Sequence, residues 1–119
     1  MPPSEPLDAV ELETVKIGDG VNFPKSGATV RIHYSAKLPD GTLFDSTRNR
    51  GRAYEFQVGA NQVIRGLDDS IVRMSKGQIA RLRIPPAYAY GEHGYPPVVP
   101  PNTTLFYEVE LLVFTSPTS

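Results

Sequence analysis

The 119-residue chain contains no cysteine. That excludes a disulfide framework, a thiolate metal site and a cysteine nucleophile together, and leaves packing alone to hold the core. An excess of charge of one sign is also lacking. The formal net charge is -1, so no global field draws the chain toward nucleic acid or an anionic membrane. Histidine is scarce: His33 and His93 stand far apart and are poor material for a metal site or a proton shuttle. No metal and no other cofactor is expected. Long apolar runs are missing, since a spanning helix needs about 20 such residues. The opening Met1-Pro2-Pro3-Ser4-Glu5-Pro6 also lacks the apolar stretch of a signal peptide. A cytoplasmic protein without a membrane partner is the expectation.

What is present suits one ordinary domain with its own core, with 39% of residues apolar. Residues 1–9 are expected as a loose Pro-rich tail, 10–115 as the domain and 116–119 as a short C-terminal tail. Period two dominates. Val10 to Val15 alternates as a first strand. Val30, Ile32, Tyr34, Ala36 and Leu38 then alternate with Arg31, His33, Ser35 and Lys37, which puts one face in the core and the other in water. Pro39-Asp40-Gly41 supplies a tight reversal into Thr42-Leu43-Phe44. Tyr54, Phe56 and Val58 alternate, as do Ala80, Leu82 and Ile84, and Leu105, Tyr107, Val109, Leu111 and Val113 form a long final strand.

One segment breaks the rule. Val63, Leu67, Ile71 and Met74 recur at three- and four-residue spacing, which predicts a short amphipathic helix with Asp68 and Asp69 near its start, Lys76 near its end and Gly77 as its left-handed stop. A single helix must bury its apolar stripe, and an antiparallel sheet of about five strands has a face to offer. The fold class is therefore α+β, a curved sheet wrapped around one helix. The hollow where the sheet meets the helix start would be walled by inward-facing Tyr34, Phe44, Tyr54, Phe56 and Tyr107. Asp45, directly after Phe44, would need a donor such as Tyr34, Arg50 or water to offset its burial.

Several motifs, in order along nearly the whole chain, resemble the FKBP-type peptidyl-prolyl cis-trans isomerases, the immunophilins that bind tacrolimus and rapamycin. They are Val30-Arg31-Ile32-His33-Tyr34, Asp40-Gly41-Thr42-Leu43-Phe44-Asp45-Ser46, Gln62-Val63-Ile64-Arg65-Gly66-Leu67, Met74-Ser75-Lys76-Gly77, Ile84-Pro85-Pro86-Ala87-Tyr88-Ala89-Tyr90-Gly91 and Pro100-Pro101-Asn102-Thr103-Thr104-Leu105. The resemblance implies that Asp45, Tyr90, Tyr34, Phe44 and Tyr107 serve catalysis. It implies that Tyr54, Arg50, Val63, Ile64, Leu67, Tyr95 and Val99 hold substrate or drug. It further implies that the amide of Ile64 and the phenol of Tyr90 donate to ligand carbonyls. Substrates would be Xaa-Pro peptides and unfolded chains. The segments 88–101 and 37–44 would, with the drug, meet calcineurin or the TOR kinase. The chain departs from the family pattern at Leu67, where active members commonly carry Trp, at Tyr54 and Tyr107, where Phe is common, and at Tyr95, a frequent His.

Rotating an Xaa-Pro bond breaks amide resonance against a barrier of about 18–20 kcal/mol. The twisted amide is less polar than the planar one, so a dry aromatic pocket favours it without a base or a covalent intermediate. A thousandfold gain needs roughly 4 kcal/mol of differential stabilisation, within reach of desolvation and one or two oriented hydrogen bonds. A binding module for Pro-containing loops, with turnover incidental, is the other reading, and Leu67 is the residue that keeps it open. Arg48-Asn49-Arg50-Gly51-Arg52 reads as a solvated turn rather than a nucleic-acid patch. Pro97-Val98-Val99-Pro100 reads as loop stiffening rather than an SH3 ligand. Tyr95-Pro96-Pro97 could enter the pocket of a second copy as a pseudo-substrate, giving weak self-association of an otherwise monomeric protein.

Overall fold

A computed structural model describes residues 9–115; residues 1–8 and 116–119 of the two expected tails lie outside the described residues. Six strands and one helix follow the chain: β1 (Glu11–Lys16), β2 (Thr29–Lys37), β3 (Leu43–Ser46), β4 (Tyr54–Gln57), α1 (Arg65–Ile71), β5 (Ile79–Ile84) and β6 (Leu105–Phe114), with a 3₁₀ turn at Pro86–Tyr88. The strands form one sheet in the order β1-β5-β6-β2-β3, with β4 also on β2. Every pairing is antiparallel. This is the expected α+β architecture, with one strand more than about five.

β2 is the organising strand. One edge carries β6 along its whole length. The other edge is divided: β4 pairs with Thr29 to Ile32, and β3 pairs with Ser35 to Lys37. The chain between β3 and β4 must therefore loop out beside the middle of β2, and this loop carries Arg50. Register shifts at Thr14/Lys16, Arg31/Ile32 and Ala36/Lys37 bend the sheet so that one face curves over the helix. That face buries Val30, Ile32, Phe56, Leu82, Ile84, Leu105, Val109 and Leu111 against Leu67, Ile71 and Met74.

The bulge also corrects one sequence expectation. Arg31 pairs with Val113 and Ile32 with Leu111, so Leu112 is the extra residue and the alternation of β6 changes phase there. Val113, expected inside, is 43% exposed, while Phe114 packs against the core.

The helix is shorter than its periodicity predicts. Ile64 is its N-cap, with extended φ -60° and ψ 150° and no side-chain cap; its carbonyl accepts from the amides of Leu67 and Asp68, both at 3.1 Å. The helix stops at Ile71, with no basic residue in its last turn. Beyond it the backbone finds better partners elsewhere: Lys76 N–H donates to the Asn22 carbonyl at 3.0 Å and Gly77 N–H to that of Leu111 at 2.8 Å. Gly77 has φ 88°, so its left-handed conformation serves the turn into β5 rather than the helix stop. Met74 keeps its place in the core without being helical. No helix among the described residues is long and apolar enough to cross a membrane.

Candidate active site

The site lies where the concave face of the sheet meets the start of α1. Tyr34 of β2 is its centre. Its ring stacks on Tyr107 of β6 with centroids 5.5 Å apart and 28° between planes, and meets Tyr54 of β4 edge-on at 6.0 Å and 87°. Tyr54 in turn stacks on Phe56 at 6.0 Å. Such offset and edge-to-face pairs each add about 0.5–1.5 kcal/mol beyond area burial, so the wall is a coupled aromatic surface. Phe44 of β3 is partly buried against the same core.

Asp45 is placed by the β2–β3 pairing opposite Ala36. The Tyr34 phenol donates to its Oδ2 at 2.6 Å, and the Arg50 guanidinium donates to Oδ1 and, at 3.4 Å, to the Tyr34 hydroxyl. Arg50 also lies 5.9 Å from the Tyr34 ring centroid. The carboxylate is thus satisfied from two sides and held as a fixed acceptor. Burial and the bond to Asp45 push the Tyr34 phenol up to about 12, so it stays a protonated donor at any physiological pH. Burial likewise raises Tyr107 and Tyr90. The latter is raised further by the neighbouring Tyr95, Asp45 and Tyr54.

The helix start supplies the floor and one free donor. Val63 and Ile64 are partly buried, Leu67 is 2% exposed, and all three belong to the same apolar cluster. Among the described residues no acceptor meets the Ile64 N–H; a capping-box side chain at the third helical position would accept it, and Leu67 stands there with no acceptor to offer. Gly66 allows the approach: a Cβ there would stand 2.5 Å from Ile84 Cγ2, so α1 rests directly on β5. Across the mouth, Arg65 lies 4.3 Å from the Tyr88 ring centroid, a cation–π contact that ties the helix start to the loop bearing Tyr90.

That loop forms the rim. Tyr95 is 57% exposed and stacks on Tyr90 at 5.1 Å and 24°. Its N–H and carbonyl close a small bridge with Val99, which is 1% exposed beneath it. The hydroxyls of Tyr54, Tyr90 and Tyr107 have no hydrogen-bond partner among the described residues, yet the buried side-chain atom without a partner there is Ser70 Oγ; the three phenol oxygens are therefore not sealed in the packing. His33, expected on the wet face, is instead half-buried with Nδ1 2.8 Å from Thr47 Oγ1.

Tyr34 touches Asp45, Arg50, Tyr54 and Tyr107, Val63, Ile64 and Leu67 belong to the same apolar cluster, and Tyr90 stacks on Tyr95. Leu67 and Val99 offer little free surface. Sequence reasoning missed the Arg65–Tyr88 clamp and the His33–Thr47 contact, because neither approach leaves a periodic signal.

Residues 20–112 match the family described as FKBP-type peptidyl-prolyl cis-trans isomerase. The chain belongs to that family. It is 50% identical over 103 residues to FK506-binding protein 1A of Emericella nidulans, covering 87% of this chain and 95% of that one. With the same coverage it is 50% identical to FK506-binding protein 1 of Rhizopus delemar and 47% identical to peptidyl-prolyl cis-trans isomerase Fkbp12 of Drosophila melanogaster. Its activity is accordingly that of an FKBP-type isomerase, rotation about Xaa-Pro bonds. The described site has the matching chemistry: an aromatic hollow whose one carboxylate is already partnered.

Proposed function

We propose that this FKBP-type isomerase accelerates Xaa-Pro rotation in peptides and unfolded chains by seating the proline ring against Leu67, Tyr54, Phe44 and Tyr107, with Val63 and Val99 at its flanks. The Ile64 N–H and the Tyr90 phenol donate to substrate carbonyls. Asp45, held by Tyr34 and Arg50, faces the twisting amide as a fixed negative charge. The observation that carries this reading is the pairing of an apolar aromatic hollow with an unpartnered amide at Ile64. Taking the planar amide from water costs it hydration that the twisted amide needs less, and the donors hold the peptide while the bond turns. No step needs a base, a metal or a covalent intermediate.

The same pocket binds tacrolimus and rapamycin in this reading. The support is the family and the FK506-binding relatives at 50% identity. The drug-bound face, made by segments 88–101 and 37–44, then meets calcineurin or the TOR kinase, and the protein works in the cytoplasm. The exposed Tyr95-Pro96-Pro97 rim gives weak self-association by entering the pocket of a second copy. A monomer at all concentrations in sedimentation would refute that part. The deciding experiment is the cis-to-trans rate of a Leu-Pro peptide with and without stoichiometric rapamycin. Fast, drug-blocked exchange is expected. Folded protein without acceleration would refute catalysis and leave a binding module with Leu67 in place of an indole floor.

A further inference from the structure

Thr47 is fully buried just beyond the end of β3. The β2–β3 ladder pairs Ser35 with Ser46 and Ala36 with Asp45, so the next rung would join Tyr34 to Thr47 through their backbones. Only half of that rung exists. Thr47 N–H donates to the Tyr34 carbonyl at 3.0 Å, but Tyr34 N–H donates to the Thr47 side chain, Oγ1, at 2.9 Å. The Thr47 carbonyl, released from the ladder, accepts instead from Arg50 N–H at 3.1 Å and Arg52 N–H at 3.3 Å. Those bonds close the turn whose side chain reaches Asp45 and the Tyr34 phenol.

We propose that Thr47 is a positioning residue of the isomerase site: its hydroxyl stands in for the last backbone acceptor between β2 and β3, and the freed carbonyl anchors the turn that presents Arg50 to Asp45 and Tyr34. One residue thereby fixes both ends of the network, the backbone that carries the phenol and the backbone that carries the guanidinium. The hydroxyl keeps this role whatever the state of His33. A bare Nδ1 accepts the Thr47 proton at 2.8 Å, whereas a protonated one donates to Oγ1 and turns that proton to the Tyr34 carbonyl at 3.3 Å. In both cases a lone pair remains for Tyr34 N–H.

The inference rests on the reading of this hollow as the isomerase site, and its test separates the two. Thr47→Val keeps the shape and removes the hydroxyl; Thr47→Ser keeps the hydroxyl. Below the melting temperature, Thr47→Val is expected to lower kcat/KM for a Leu-Pro peptide by about tenfold and Thr47→Ser to stay within about twofold of wild type. Val30→Ala, a cavity at the far end of β2, should lower Tm without that loss. The decisive readout is the double variant: because Thr47 and Arg50 hold one network, Thr47→Val should cost clearly less in an Arg50→Ala background than in the wild type. Multiplying losses, or a Thr47→Val enzyme with wild-type kcat/KM, would overturn the proposal. Amide hydrogen exchange of the wild-type protein reads the same anchor without turnover and without any variant that has to fold. Arg50 and Arg52 amides should be protected despite their exposed turn, and unprotected amides would overturn the proposal. An inactive wild-type protein with protected amides would refute the isomerase reading and leave the anchor standing.

Discussion

Replacing Gly66 by Ala tests how tightly the site depends on the seating of its one helix. Two effects oppose each other. Ala is favoured over Gly inside a helix by about 1 kcal/mol. Against this, the new methyl would stand 2.5 Å from Ile84 Cγ2 and 3.2 Å from Cγ1 and Cδ1. Ile84 is fully buried on β5 and has nowhere to turn, so overpacking should cost about 1–3 kcal/mol. The net expectation is a loss of about 1 kcal/mol in urea unfolding, or about 4 °C in Tm for a chain of this size. The methyl also lifts α1 away from β5 just beside Ile64 and Leu67, so kcat/KM should fall roughly tenfold, in keeping with the sensitivity of such reactions to small displacements. Ile84→Ala removes all three clashing atoms. It is itself destabilising by about 2–5 kcal/mol, but in its background Gly66→Ala should change sign and stabilise by about 1 kcal/mol. A Gly66→Ala protein as stable and as active as wild type would refute the reasoning, as would equal effects in the two backgrounds.

Three further outcomes follow from the same structure. Ser70→Ala should stabilise by about 1 kcal/mol in urea unfolding, because Ser70 Oγ is buried without a partner and Ala is the better helix residue; a loss of stability would mean the hydroxyl is satisfied in solution. Tyr34 titrates near 12, with Tyr90 and Tyr107 also raised. Below about pH 10 these phenols are protonated in both folded and unfolded chains and their contribution is complete; as pH rises from there through about 12 the unfolded chain ionises first and stability falls. Urea midpoints should drop across that window and drop less in Tyr34→Phe, with equal slopes counting against the assignment. Leu67→Trp should lower the rapamycin Kd by restoring a flat floor, and an unchanged or higher Kd in calorimetry would show that the 2% exposure of Leu67 leaves no room for the indole.

The sheet was legible because half-buried strands write themselves as period two, and Thr29 to Lys37 or Leu105 to Leu111 keep that period without interruption. Where the backbone changes phase the pattern misleads, as at Leu112, whose bulge sends Val113 outward. The helix was legible in kind but not in extent. Met74 continues the apolar spacing, yet the amides of Lys76 and Gly77 bond to Asn22 and Leu111, far away in sequence, and no local pattern registers such competition. The site divides along the same line. Aromatic residues on alternating strands announce a wall, and Asp45 beside Phe44 announces a need for donors. Which donors meet that need depends on a loop conformation, and the loop is set by a hydroxyl that looks like any other threonine in a turn. Thr47 therefore marks the limit of sequence reading here: its chemistry comes from the absence of a backbone bond, a feature that exists only once β2 and β3 have paired. The same logic explains why Arg50 can be both exposed and fixed. Its side chain is anchored at the tip by Asp45 and at the root by the Thr47 carbonyl, so an isolated surface ion pair, ordinarily worth about 0–1 kcal/mol, becomes part of a preorganised wall.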